Sequence, residues 1–152
     1  MIKLDNGTVV WDNTFIDETA KIGSNCIIGR NVYIDRGVVI GNYCKIQNNV
    51  SIFKGVTLED GVFIGPHVCF TNDKQPRAIT LDGEPVHYGD WTIEKTLIEK
   101  GVSIGANSTI VPGIVIGHWA MVGAGSVVTK NVRPYNIVAG NPARIINIIS
   151  QP

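Results

Sequence analysis

Cysteine is scarce in this chain. Three in 152 residues cannot build a disulfide framework, and the chain is read as a reduced, cytoplasmic protein. Histidine is equally scarce: His67, His87 and His118 stand 20 and 31 residues apart. A three-histidine zinc site needs two ligands close in sequence, so no metal is expected. No apolar run approaches a membrane span, and the opening Met1 to Gly7 holds no long apolar stretch; no membrane partner is expected. Net charge is zero, from 13 Lys+Arg against 13 Asp+Glu, which leaves no gross charge to hold a nucleic acid or a membrane surface. Charged residues make up only 17% against 44% hydrophobic, and that balance excludes intrinsic disorder. Acidic residues are missing altogether after Glu99. Residues 100–152 carry Lys100, Lys130, Arg133 and Arg144 unopposed, while residues 1–99 carry nine basic and thirteen acidic side chains. The C-terminal part is fitted to meet an anion, or else carries cations that keep its end solvated.

Glycine, with 17 residues, prompts a search for repeats, and one exists at a period of six. Every sixth position reads Leu4, Val10, Ile16, Ile22, Ile28, Ile34, Ile40, Ile46, Ile52, Leu58, Ile64; after a break the ladder resumes at Thr92, Ile98, Ile104, Ile110, Ile116, Val122, Val128. Seventeen of these 18 rungs are aliphatic, although Ile, Val and Leu supply only 44 of the 152 residues. Four residues after most rungs stands a small or β-branched residue, such as Cys26, Val32, Cys44, Val62, Val102, Ser108 and Ser126. The residue next to a rung is often glycine (Gly23, Gly29, Gly41, Gly65, Gly105, Gly117, Gly123), read here as a turn taken with positive φ. Such a period fits neither a helix nor a sandwich with turns about every 8–12 residues. It fits an all-β parallel solenoid in which three hexads close one triangular coil and the rungs stack inward. Eighteen hexads make about six coils over 108 residues of a single domain, 1–152. Cys26 and Cys44, one coil apart at one corner position, are expected to stack as small buried hydrophobes.

From Phe70 to Trp91 the ladder stops for 22 residues, FTNDKQPRAITLDGEPVHYGDW. Pro76, Pro85, Gly83 and Gly89 forbid a regular strand or helix there, and a loop this long is expected to project at 70–91 and to bind something. It holds Arg77 and His87, with His67 just before it. Gln47 and Asn49 interrupt the aliphatic texture of the third coil. They are read either as pocket lining or as an amide ladder of the solenoid. The turns at Gly105–Ala106 and Gly123–Ala124 lie 18 residues apart and are expected to stack on one edge.

The segments Cys44 to Pro66, FTND (Phe70 to Asp73), PRA (Pro76 to Ala78), Thr96 to Gly117, Val122 to Val132 and GNPARII (Gly140 to Ile146) resemble the hexapeptide-repeat acyltransferases. They are most similar to those that N-acetylate the 3-amino group of UDP- or dTDP-linked sugars. That resemblance implies a left-handed β-helix, a hand that period alone would not give, acetyl-CoA as co-substrate without a metal, and a homotrimer with sites between subunits. It also implies Asn72 as the residue that orients the sugar amine, with the amine arriving neutral. His67 is the alternative as a general base; His87 and His118 are weaker candidates. Gln47, Asn49, Asp73 and Arg77 are assigned to the nucleotide-linked amino sugar, Arg77 because its fork suits planar anions. Backbone amides at Gly105, Ala106, Gly123 and Ala124 are assigned to the pantetheine arm, and Lys130 and Arg144 to the CoA phosphates. Trp119 is a candidate for stacking on adenine and equally for capping the solenoid. Neither terminus shows an added module, so recognition is expected to fall to the coils and the loop. Other classes stay in view: the same acyl transfer to serine, an antibiotic or another small acceptor, a γ-type carbonic anhydrase, and a non-catalytic scaffold.

Overall fold

The structure, a computed structural model, describes residues 1–150 as one ribbon of short strands, with no helix among them. Strands of mostly two residues alternate with four-residue corners and build three faces. Face I stacks seven parallel levels, from Val9–Val10 through Lys45–Ile46 and Phe63–Ile64 to Asn136–Ala139. Face II stacks six, from Phe15–Ile16 through Cys69–Phe70 to Val127–Val128, and face III five, from Lys21–Ile22 to Val115–Ile116. Equivalent residues of successive coils pair directly, Ile28 with Ile46 and Ile46 with Ile64. One antiparallel strand closes each end of face I, Ile2–Lys3 and Arg144–Ile148.

The rungs form the core because the second residue of each strand points inward. From Ile28 to Val128 every aliphatic rung is at most 2% exposed. Val10, Ile16 and Ile22 are only half-buried, since the first coil is covered on one side alone. Cys26 and Cys44 are fully buried free thiols. Their Sγ atoms donate to the carbonyls of Gly41 and Glu59, both at 3.2 Å. Contact with the Cys26 thiol, together with burial, holds the Cys44 thiol above the ordinary range.

Four expectations need correction. Phe70 is itself a rung, fully buried and paired with Ile52 and Ile110, so the projecting segment begins at Thr71 and runs to Lys95. Thr92 is an exposed loop residue, and the next rung, Ile98, follows Phe70 by one hexad plus the 22-residue insertion. Leu4 lies outside the ladder, 39% exposed in a turn. The glycines next to the rungs do not take positive φ. A Cβ on Gly23, Gly41, Gly65, Gly105 or Gly117 would instead lie 2.4–2.6 Å from the following coil, so glycine is required there by close approach. The left-handed residue comes two positions later, as at Asn31, Tyr43 and Asn107.

Truncating a rung removes contacts from coils on both sides. Ile64→Ala is expected to cost about 2–5 kcal/mol in urea unfolding. Ile27→Ala, whose side chain is 40% exposed on the outer face, should cost less than about 1 kcal/mol.

Candidate active site

The corners joining face I to face II form one edge of the prism. In order they are Trp11–Thr14, Gly29–Val32, Gln47–Val50, Gly65–Val68, Gly105–Ser108 and Gly123–Ser126, leading to Gly140. Successive corners are one coil apart, about 4.8 Å. This edge therefore gathers Gln47, Asn49, His67, Gly105, Ala106, Gly123 and Ala124 on a single line.

The third residue of each corner carries the left-handed turn: Asn13, Asn31, Asn49, His67 and Asn107 have φ of 55–61°. Asparagine tolerates that region better than most residues, and the column becomes an amide ladder. Asn31 Nδ2 donates to Asn49 Oδ1 at 3.1 Å, and Asn49 Nδ2 faces His67 Nε2 at 3.3 Å. With its oxygen taken, Asn49 donates to Nε2, so neutral His67 carries its proton on Nδ1. His67 offers the edge a hydrogen-bond donor, and its basic nitrogen is occupied by the ladder. Gln47 lines a small cavity of about 230 Å³ with Trp11 and Arg30.

The second residue of each corner decides which backbone donors stay free. At several corners a side chain of an adjacent coil caps that N–H: Asn42 Oδ1 accepts from Ser24 at 2.9 Å, Asn48 Oδ1 from Arg30 at 2.8 Å, and Asp60 Oδ1 from Asn42 at 2.6 Å. Glu99 Oε2 caps His118 at 2.7 Å and also meets its Nδ1 at 3.0 Å. These bonds to His118 hold the Glu99 carboxyl below its usual range. Alanine at 106 and 124 carries no such oxygen, and among the described residues the N–H groups of Ala106 and Ala124 meet no acceptor. The N–H groups of Gly105 and Gly123 are spent on Val122 and Val138, both at 2.8 Å. Ala106 and Ala124 are thus free donors, as are Asp12 and Asn48 on the same edge, and a Cβ on Gly65 or Gly105 would lie 2.6 or 2.5 Å from the alanine nitrogens.

Beyond Ala124 the edge reaches the closing segment, where Gly140 accepts from Val127 at 3.0 Å. There Lys130, Arg133 and Arg144 line one cleft of about 640 Å³ over the last rungs, Val128, Val132 and Val138. Three of the four cations found after Glu99 converge at that end.

The projecting segment leaves a different edge, between faces II and III. Thr71 fixes its base with two bonds to the Ile110 carbonyl, at 3.0 and 3.1 Å, and Lys74 pairs with Glu94 across it. Its far part is a small hairpin with an Ile79–Pro85 bridge, and Arg36 lies 4.8 Å over the Tyr88 ring. Asp73 and Arg77 share a cavity of about 640 Å³ with Trp91. Asn72 is half-buried, and its amide has no partner among the described residues. Asn72 and His67 therefore flank one strand, Cys69–Phe70, from separate edges, and a single chain does not bring them together. His87 is engaged with Asp90, Trp119 packs on Gly101 at the edge between faces III and I, and His118 contacts Tyr135. None of the three joins either cluster. Sequence reasoning named the alanine amides together with those of Gly105 and Gly123, which the solenoid itself uses, and it missed Lys54 and Lys95 beneath the loop.

Comparison with known proteins adds to this geometry. Residues 95–130 match the family described as bacterial transferase hexapeptide (six repeats), and residues 10–78 match the GMPPB C-terminal domain. The solenoid is a left-handed hexapeptide β-helix. The chain is 56% identical over 57 residues, 38% of its length, to a dTDP-3-amino-3,6-dideoxy-alpha-D-galactopyranose 3-N-acetyltransferase of Aneurinibacillus thermoaerophilus, covering 30% of that protein. A hexapeptide-repeat acetyltransferase of Vibrio cholerae, solved with acetyl coenzyme A, superposes with a TM-score of 0.71 at 27% identity, over 86% of this chain and 72% of that one. A mutant of a Bacillus cereus N-acyltransferase, solved with dTDP-4-amino-4,6-dideoxyglucose and coenzyme A, gives 0.61 at 26% identity, over 95% and 84%. The chain covers less than half the length of the curated relatives it matches.

The direction of the amide ladder is open to measurement. Ring carbon shifts of neutral His67 should report the proton on Nδ1. In Asn49→Asp, where a carboxylate replaces the donor, the proton should move to Nε2. An Nε2-protonated ring in the unsubstituted protein would contradict the ladder.

Proposed function

Starting from a left-handed hexapeptide β-helix similar to sugar N-acetyltransferases, we propose that this chain transfers the acetyl group of acetyl-CoA to the amine of a nucleotide-linked amino sugar. The observation that carries the proposal is the edge between faces I and II. Two uncapped N–H groups, one coil apart, lead from His67 to a cleft lined by Lys130, Arg133 and Arg144. In this assignment Ala106 donates to the thioester carbonyl oxygen, where negative charge grows during attack. Ala124 holds the pantetheine arm as an added strand would, with Gly105 and Gly123 keeping the backbone approachable. Lys130 and Arg144 take the CoA phosphates. The amine forms its bond to the carbonyl carbon, the carbon–sulfur bond breaks, and the departing thiolate can take the amine proton when the amine enters neutral. His67 then supplies a hydrogen bond from Nδ1 and no base.

Asn72, Asp73 and Arg77 belong to the acceptor side of the site, with Asn72 orienting the amine. They stand on another edge of the prism, so the complete site needs the loop of one copy beside the acyl edge of the next, as in a homotrimer. The hairpin tip suits such a contact, since Ile79 and Leu81 are 55% and 89% exposed. Among the described residues no helix is long and apolar enough to cross a membrane. The proposed use of acetyl-CoA favours a cytoplasmic reaction.

The direct test is a panel of nucleotide-linked amino sugars with acetyl-CoA, followed by release of free thiol. Turnover confined to serine, galactosides or antibiotics would overturn the acceptor assignment. Lys130→Ala combined with Arg144→Ala should weaken acetyl-CoA by about 2–4 kcal/mol in calorimetry; unchanged affinity would remove both from the site. Asn72→Ala should lower kcat by about tenfold to a thousandfold with the acetyl-CoA constant unchanged. His67→Ala should cost less than about tenfold, against about 10²–10⁴ for loss of a general base.

A further inference from the structure

Beneath the projecting segment lies a second cavity, of about 440 Å³, closed on one side by the coils and on the other by the loop. Lys54 and Lys95 line it, with Tyr88 and Trp91 as aromatic walls and Gly37 and Gly55 exposing backbone at its floor. No carboxylate lines it. Among the described residues neither lysine's ammonium pairs with an acid; Glu94 pairs with Lys74, and Asp35, which lies 3.9 Å from Arg36, accepts from the Lys54 backbone N–H at 3.1 Å. Lys54 is half-buried in this state, an arrangement that favours an anionic guest. Trp91 also walls the neighbouring cavity of Asp73 and Arg77. Its Nε1–H is buried with no acceptor within hydrogen-bond distance, and a buried donor left unpaired is costly. The cavity thus combines two cations without acidic partners and flat apolar walls, one of which, Trp91, carries a buried donor with no acceptor.

We infer that this cavity is the nucleoside-diphosphate subsite, resting on the acceptor class proposed above. Lys54 and Lys95 hold the diphosphate, the Trp91 N–H donates to one of its oxygens, and the ring faces offer a stacking surface for the pyrimidine. The sugar then extends past Trp91 towards Asp73 and Asn72. Arg77, read from sequence as a partner for the diphosphate or for a sugar carboxylate, serves the sugar side in this assignment.

Calorimetric titration with dTDP and with UDP tests this apart from the acyl-transfer reaction. Lys54→Met with Lys95→Met should weaken the nucleotide by about tenfold to a hundredfold, as expected for two partly exposed charge-assisted contacts. Trp91→Phe should weaken it about threefold to tenfold, and acetyl-CoA affinity should be unchanged in both, which also shows that the variants fold. Arg77→Ala should leave dTDP affinity within about twofold. A nucleotide that binds the lysine variant as well as the unsubstituted protein overturns the subsite, as does a loss confined to Arg77→Ala. Failure of both nucleotides to bind, with acetyl-CoA still bound and turned over on a non-nucleotide acceptor, overturns the subsite and the acceptor class while leaving acetyl transfer standing.

Discussion

Each coil is hydrogen-bonded only to the coils beside it, through backbone groups that must meet their partners one coil on. Tyr33 donates to Val50, Lys45 to Val62, Phe63 to Val102 and Ser103 to Ala120, all at 2.9–3.1 Å. That repeat forces every corner to follow the same path. At the corners of Gly23, Gly29, Gly41, Gly65, Gly105 and Gly117 glycine stands where the next coil would strike a Cβ, and at most corners the third residue accepts a left-handed backbone. The rungs fill the space those corners enclose. Once the corner path is fixed, side chains on an edge fall into columns about 4.8 Å apart, and function depends on what each column carries.

Two columns on one edge do different work. In the third column Asn31, Asn49 and His67 bond to one another, and that polarity fixes which histidine nitrogen holds the proton. In the second column of this edge Asn48 caps the Arg30 N–H, whereas Ala106 and Ala124 leave two donors without an acceptor in successive coils. A solenoid that had only to be stable would gain by capping them, at about 0.5–1.5 kcal/mol per bond. Their exposure beside His67, and the convergence of Lys130, Arg133 and Arg144 at the far end of the edge, give the fold a direction along which an elongated anionic co-substrate can lie.

Much of this was legible in the chain. The sixfold ladder and the insertion length follow from spacing alone, since strands this short leave no freedom of register. Phe70 escaped because an aromatic rung breaks an aliphatic pattern, and Thr92 entered because counting back across an insertion preserves phase without burial. The glycines were recognised, but with the wrong cause. Positive φ belongs to Asn13, Asn31, Asn49, His67 and Asn107; an amide ladder was one reading of Asn49, but its left-handed backbone was not read because asparagine also suits surface turns. The packing of Tyr88 on Arg36 and of Trp91 above Lys54 was beyond sequence reasoning, because non-repeating loop contacts have no period to follow.

The central claim is that the uncapped N–H groups at Ala106 and Ala124 make this edge the acyl-transfer edge. Ala124→Asn tests it by restoring the cap that Asn48 gives Arg30, placing an amide oxygen over the Ala106 N–H. Acetyl-CoA titration and thermal unfolding should be read on the same sample. The expected result is a melting temperature equal to or above that of the unsubstituted protein, together with loss of acetyl-CoA affinity by at least about tenfold, the worth of one well-placed hydrogen bond. Unchanged affinity in a variant that retains its melting temperature would contradict it.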